Sequence, residues 1–540
     1  MINVCCGSGS TGRICTDLAT SLEKKGHIVK IAYGRDSVSS EFERFAIKIG
    51  SNQNIKLHGL KARLFDASGW GSKNDTLKFV SWIKQFDPDV IHLHNVHGYY
   101  INIEVLFNYL KESKKRIIWT LHDCWPFTGH AAYCDAANCE RWITGCFDCP
   151  NIREYPKSFI DNSKNNWLNK KNLFDGFSNL TIVTPSIWLA KLVEKSYLSQ
   201  YPVRVIHNGI DISKFYPLEN DFRSYYGVDR KYIVLGLLPQ SCEYDEYHDI
   251  DRFTKLLGDD YQLVLYGFDD EITYGFSDSV IKIRSTKSYK ELMLILSAAD
   301  YIVDLSSDST GLDNILYNII SKINTVTFFR GKSSEIGINN YNTFIKYTRL
   351  EELVNSIKND KSVKKNNQSD SNVENGYWHE KNNINIIGNR VILGVASVWD
   401  KRKGLDDIEK LSKKLDDSII VVGVTNRQIK KLPSNIISYT RTNSVDELRR
   451  IYSLADVFIN PTYEDNFPTT NIEALCCGTP VVSYRTGGSP ESATCVIDKG
   501  CIEKLDCNEF FFIEECEEMG KSFCKESMID NYMKLYCDNQ

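Results

Sequence analysis

Proline is scarce in this chain, 13 of 540 residues, and glycine is limited to 32. Such a composition excludes a collagen-like or other fibrous protein. No run of about 18 consecutive apolar residues occurs, so no membrane-spanning helix is expected. Positive charge is not in excess either. Lys and Arg total 65 against 70 Asp and Glu, a formal net charge of -5, which leaves no global basic field to attract nucleic acid. The first residues lack the charged start and apolar run of a secretory signal. In that setting the 17 cysteines read as reduced thiols of a cytoplasmic protein and not as a disulfide scaffold. What is present, 42% hydrophobic and 25% charged residues, is globular, and the length predicts three or four domains of roughly 150 residues each.

Short apolar runs alternate with helical patterns up to about residue 205, as in Asp89-Val-Ile-His-Leu-His94, Arg116-Ile-Ile-Trp-Thr-Leu-His122 and Leu180-Thr-Ile-Val-Thr184. Runs without polar alternation suit strands buried on both faces of a parallel sheet. Ile14, Leu18 and Leu22 stand at helical spacing after a glycine-rich opening. The βαβα alternation predicts an α/β, doubly wound unit. Asn208-Gly209 marks its end as a turn.

The remainder holds an internal repeat. Glu291-Leu-Met-Leu-Ile-Leu-Ser-Ala-Ala-Asp300 parallels Glu447-Leu-Arg-Arg-Ile-Tyr-Ser-Leu-Ala-Asp456 at an offset of 156, and the same offset relates Gly267 to Gly423, Gly331 to Gly487 and Glu335 to Glu491. Val234-Leu-Gly236 matches Ile392-Leu-Gly394 at an offset two residues larger. The predicted organisation is a first Rossmann-like domain over 1–229, one copy over 230–358, a polar flexible linker over 359–387, a second copy over 388–518, and a closing amphipathic helix within 519–540 carrying Met528, Tyr532 and Leu535.

The strongest motif is Asn460-Pro-Thr-Tyr-Glu-Asp-Asn-Phe-Pro-Thr-Thr-Asn-Ile-Glu-Ala-Leu-Cys-Cys-Gly-Thr-Pro-Val-Val482, which reads strand, loop, helix, glycine turn, strand. Thr469 or Thr470 would cap or open the helix, whose N–H groups favour phosphate oxygens. Asp465 and Glu473 stand eight residues apart, and carboxylates there accept hydrogen bonds from sugar or ribose hydroxyls. The string resembles the signature of the retaining glycosyltransferases of the group 1, family 4 class, which have the GT-B fold of paired Rossmann-like domains. The resemblance implies that Asp465 lies near a donor sugar, that Glu473 binds the nucleotide ribose, and that Asn466, Phe467, Pro468 and Thr469 line sugar and phosphates.

Other segments are similar to the same family. Trp399-Asp-Lys-Arg-Lys-Gly-Leu405 resembles its basic pair, so that Arg402 and Lys403 would neutralise the departing diphosphate. Gly7-Ser-Gly-Ser-Thr-Gly-Arg13 resembles its opening loop, where Gly9 and Gly12 let backbone approach the donor. His122 ends a strand where open α/β sheets place ligands; the resemblance implies contact with the donor sugar, and Asp123 is expected to orient its ring. His94, with His92 and His97, is an acceptor-side candidate. Cys134, Cys139, Cys146 and Cys149, with Cys124 and His130 upstream, read as a loop of reduced thiols, a structural zinc being the alternative.

Within the first copy, offset 156 places Ser309 against Asp465, Tyr317 against Glu473, Lys322 against Gly478 and Asn324 against Pro480. That copy is expected to keep its fold and to have lost its donor site. The resemblance implies transfer of a sugar from a UDP- or GDP-linked nucleotide sugar to a hydroxyl with retention, without cofactor or required metal. It is closest among capsule, colanic-acid and lipopolysaccharide enzymes. Expected partners are that donor and a saccharide or lipid-linked saccharide acceptor, with peripheral association at the inner membrane face and no nucleic acid. Two rivals stand beside this reading: another GT-B chemistry such as nucleotide-sugar epimerisation, and a non-catalytic GT-B-like binding protein.

Overall fold

In the computed structural model of the chain, the described residues are 1–134, 139–237, 244–268, 279–284, 289–305, 326–330, 343–347, 349–360, Tyr377, Lys381, 390–415, 417–502 and 513–537. They form three sheets. The first has seven strands, from Ile2–Asn3 to Val203–Val205, lying side by side in the order 3-2-1-4-5-6-7 counted along the chain. The second runs from Tyr232–Leu237 to Thr343–Tyr347 and the third from Val391–Val395 to Cys495–Ile497; both have six strands in the order 3-2-1-4-5-6. Neighbouring strands pair in parallel, so each connection must cross over the sheet, usually through a helix. The doubly wound reading thus holds for every unit. Leu180–Thr184 is buried at all five positions, as a parallel strand covered on both faces requires.

The two six-stranded sheets agree in register as well as order. Val234 opposes Tyr301 and Leu235 opposes Ile302; Ile392 opposes Val457 and Leu393 opposes Phe458. These pairs reproduce both offsets found in the sequence, the larger on the first strand and the smaller on the fourth. Alternate residues of one strand enter different cores. Leu235 packs with Val264 and Ile302, whereas Val234 packs with Leu263 and Val303.

The closing segment is two helices, not one. Ile513–Lys521 ends at a break where Cys524 bridges Ile210, and Lys525–Cys537 then crosses back to the first unit. There Met528, Ile529, Tyr532 and Leu535 pack with Ile14, Leu18, Ile118 and Val183. Gly209 permits this crossing, since a Cβ on it would lie 2.6 Å from the Cys524 carbonyl oxygen. Most of the polar linker lies outside the described residues, but four of its positions are placed: Asn359 ends helix Leu350–Asn359 with Asp360 as its C-cap, Tyr377 N–H donates to Glu219 O, and Lys381 pairs with Glu291.

The copies also touch. Lys290 of the middle unit buries its ammonium 3.2 Å from Thr479 Oγ1 and 3.5 Å from the carbonyl oxygens of Ala455 and Cys477. Those two carbonyls close the helices Val445–Leu454 and Thr469–Cys476, where the helix dipole favours a cation.

Candidate active site

The motif of the third unit folds as strand Val457–Asn460, a loop, and helix Thr469–Cys476. Pro468 takes the N-cap position without a side-chain hydrogen bond. Neither threonine caps: Thr469 and Thr470 sit in the first turn, and no side-chain cap occupies the leading N–H groups. Asn471 anchors the helix, accepting from Asn460 Nδ2 at 2.8 Å and donating to Ser492 Oγ at 3.1 Å. One turn in, Glu473 is buried and accepts from the Tyr452 hydroxyl at 2.9 Å. Burial pushes its carboxyl up to about 7, against the pull of Tyr452 and of Arg13 from the first unit.

The basic pair lies on a single tight turn, Lys401–Lys403, opened by Asp400 accepting from Arg402 N–H. Lys403 forms a close ion pair with Asp465. Burial raises the Asp465 carboxyl, but Lys403 and Arg402 outweigh it and hold the group below the ordinary carboxylate value. The loop bearing Asp465 rests against glycine. Gly488 N–H donates to Asp465 O, and a Cβ on Gly487 would stand 2.1 Å from that oxygen. Glu464, one residue earlier, turns the other way and is fully buried.

Across from this wall, strand Arg116–Thr120 delivers His122. Its Nε2 lies 3.0 Å from His94 Nδ1, the rings being stacked 5.3 Å apart, and burial lowers its pKa to about 4. Asp123 does not orient that ring. Its Oδ2 pairs instead with His97 Nε2 at 2.7 Å, and its Oδ1 accepts from Trp125 N–H. Both carboxylate oxygens thus have partners other than the His122 imidazole. His94 Nε2 is buried with no hydrogen-bond partner. His92 serves the packing of the closing helix, with Nδ1 at 2.7 Å from the Tyr536 hydroxyl and Nε2 at 2.8 Å from Thr120 Oγ1. In the opening loop, Gly9 begins helix Gly9–Lys24 at φ +66° with open space around its Cα, and Gly12 packs against Gly7 N.

The two walls meet. Asn466 Nδ2 donates to His122 O, and the Arg402 guanidinium lies 3.9 Å over the Tyr133 ring. Glu491 accepts from the N–H groups of Ile187 and Trp188, both at 2.9 Å, at the start of helix Ile187–Lys195, and from His207 Nε2 at 3.1 Å. Phe467 packs beneath, between His207 and Phe523. The sequence does not single out Tyr133, Arg13 or Glu491 as site residues; the signals in it are the opening glycine loop that ends at Arg13 and the repeat position of Glu491. Of the four cysteines considered for zinc, only Cys134 belongs to a set of three potential ligands found among the described residues, and its companions are Cys124 and Glu464. Ser309, Tyr317, Lys322 and Asn324 lie outside the described residues.

Two Rossmann-type units closing on a cleft, with paired acids, a basic turn and an open helix N-terminus on one wall, define the GT-B class of glycosyltransferase architecture. Residues 11–214 match the family model described as Glycosyltransferase Family 4, and residues 389–510 match the one described as Glycosyl transferases group 1, together more than half of the chain. The chain belongs to the group 1 glycosyltransferases. A protein of Escherichia coli K12 named for a role in colanic acid biosynthesis, glycosyl transferase WcaC, is 28% identical over 223 residues, covering 39% of this chain and 54% of its own length. The alpha-galactosylglucosyldiacylglycerol synthase of Streptococcus pneumoniae R6 is 27% identical over 184 residues, covering 29% of this chain and 47% of that protein. The chain thus spans about half the length of the curated relatives it matches. Sucrose-phosphate synthase from Thermosynechococcus elongatus aligns over 99% of this chain and 97% of its own, at 12% identity and a TM-score of 0.44. Among the described residues, no helix is long and apolar enough to cross a membrane.

Proposed function

We propose that the protein transfers a sugar from a UDP- or GDP-linked donor to a hydroxyl of a saccharide or lipid-linked saccharide, with retention at the anomeric carbon. The observation that carries this reading is the meeting of Lys403, Asp465, Glu473 and the uncapped start of helix Thr469–Cys476 with His122 across one cleft. Arg402, Lys403 and the helix N–H groups would hold the diphosphate as its charge develops. Glu473 would accept from the ribose hydroxyls, and the ionised Asp465 from hydroxyls of the sugar. His122 stays neutral above about pH 5 because its pKa is lowered to about 4, so it serves as a hydrogen-bonding group beside the anomeric carbon and not as a standing cation. The acceptor attacks on the face the diphosphate leaves, and no enzyme nucleophile is invoked.

Residues 388–518 bind the donor in this proposal, 1–229 face the acceptor, and 230–358 carry no donor site. A role in surface polysaccharide or lipopolysaccharide synthesis at the cytoplasmic membrane face is part of this proposal, and of the relatives' names the colanic acid one supports its polysaccharide part. A thermal-shift screen of the full chain against nucleoside diphosphates and nucleotide sugars tests the reading, because a ligand at 100 times its Kd stabilises the native state by about 2.7 kcal/mol. One nucleotide should stand out, followed by transfer of its sugar to an added acceptor. A chain that none of them stabilises has no donor site of this kind.

A further inference from the structure

Cys124, Cys134 and Glu464 come from three separate segments and converge on one point. Their ligand atoms all lie within 4.8 Å of one another, and all three residues are buried. Cys124 and Cys134 belong to the first unit, Glu464 to the third, so the cluster spans the cleft. We infer that these residues form a binding site for a thiophilic divalent cation, zinc by its chemistry, which pins the two walls of the cleft together.

The donor set fits. Thiolates and carboxylates are both zinc ligands, and tetrahedral bonds of about 2.3 Å to sulfur and about 2.0 Å to oxygen need only a small inward movement from ligand atoms that lie within 4.8 Å of one another. Binding would release one proton from each thiol as the Zn–S bonds form, and with three ligands among the described residues a water oxygen would take the fourth position. Two thiolates and a carboxylate exceed the charge of the ion by one. Arg402 supplies the balance, since its Nη1 donates to Glu464 O and its guanidinium covers Tyr133, the neighbour of Cys134. Transition metals prefer such a mixed sulfur and oxygen set over the hard cations magnesium and calcium, which take oxygen ligands alone.

Position gives the site its consequence. Cys124 is two residues from His122, and Glu464 is bonded directly to Asp465. An ion held between them fixes the separation of the two groups that the cleft brings together, without touching a reacting atom. The site does not depend on sugar transfer, so its test is spectroscopic.

Full-length protein, reduced and stripped of metal, should bind one equivalent of Co2+ with a thiolate-to-cobalt charge-transfer band that zinc abolishes. Cys124→Ser and Cys134→Ser should each lose the band, and Glu464→Gln should weaken zinc at least about tenfold against a chromophoric chelator. Cys146→Ser and Cys149→Ser should bind as the parent does. X-ray absorption of the zinc-loaded parent, which needs no variant to fold, should report two sulfur neighbours with oxygen completing the shell. Absence of the band in the parent overturns the site. So does a band that survives Cys124→Ser and vanishes in Cys146→Ser, or a shell of four sulfurs.

Discussion

In the middle unit Asp300 Oδ2 accepts from Ile233 N–H at 2.7 Å while Asp300 N–H donates to Ile233 O; in the third unit Asp456 and Val391 make the same two bonds. The pair closes the first and fourth strands of each sheet at corresponding places. Ala-Asp therefore recurs at offset 156 because the backbone needs it, not because chemistry does. Around the donor motif the copies part. The third unit has Asp465 and Glu473 where the middle one has Ser309 and Tyr317, and a glycine turn at Gly478 where the middle one has Lys322. The fold of both copies rests on apolar runs and a few buried hydrogen bonds, and in the proposed reading the exchanged carboxylates leave the middle copy without a donor site. Duplication makes that difference visible inside one chain.

The largest break in the comparison should come from Glu473→Ala, which is expected to lower donor turnover by about 10²-fold or more, measured as sugar transferred. Tyr317→Phe, at the matching position of the other copy, should leave turnover within about twofold if the donor site is confined to the third unit. Nucleotide titration of the full chain should likewise give one site per chain; two sites would show that the middle copy still binds.

Similar losses are expected where the copies agree. Asp300→Ala and Asp456→Ala each leave a strand N–H without its carboxylate and should each cost about 1–3 kcal/mol, read by denaturant unfolding in a background of Arg223→Ala, which removes the 3.1 Å ion pair that Asp300 also makes. A marked inequality would mean that one copy carries more of the stability.

A smaller effect is expected with pH. An acid whose pKa is raised to about 7 is protonated below that value and becomes a better acceptor for ribose hydroxyls above it. Nucleotide affinity should then strengthen as pH rises through 7, and Glu473→Gln should flatten the profile. Smallest of all, Lys290→Met should cost about 1 kcal/mol, because Thr479 keeps its bond to Tyr452 O while the two helix-ending carbonyls lose their cation. Loss of nucleotide affinity in that variant would show that the middle copy braces the donor helix.

Much of the architecture was legible in the residues. Fully apolar runs such as Leu180–Thr184 announced parallel strands, and the repeat announced the second and third sheets down to the two-residue difference between offsets. The paired acids and the basic turn were legible too, because loop, helix and glycine turn leave little freedom in where they meet. Side-chain aim was not. Asp123 adjoins His122 in sequence, yet its carboxylate pairs with His97, which follows another strand, Val90–Leu93. Glu464 adjoins Asp465 and faces the opposite way, into a pair of cysteines more than 300 residues upstream. Of the two roles expected for the threonines, Thr469 opens the helix and does not cap it, since Pro468, with its fixed φ, holds the N-cap place. The aim of Asp123 and Glu464 is set by partners from distant segments, which local spacing does not encode.

The closing helix Lys525–Cys537 carries a consequence for how the protein is made. Tyr532 donates or accepts at Thr120 across 3.0 Å, and Tyr536 meets His92, so the first unit's core is finished by residues translated after both copies. At about 5–20 residues per second, roughly 300 residues of synthesis hold that surface open for some 15–60 s. During that interval Ile14, Leu18 and Ile118 face water, and a ribosome stalled within the third unit would present an N-terminal domain with its seam unsealed.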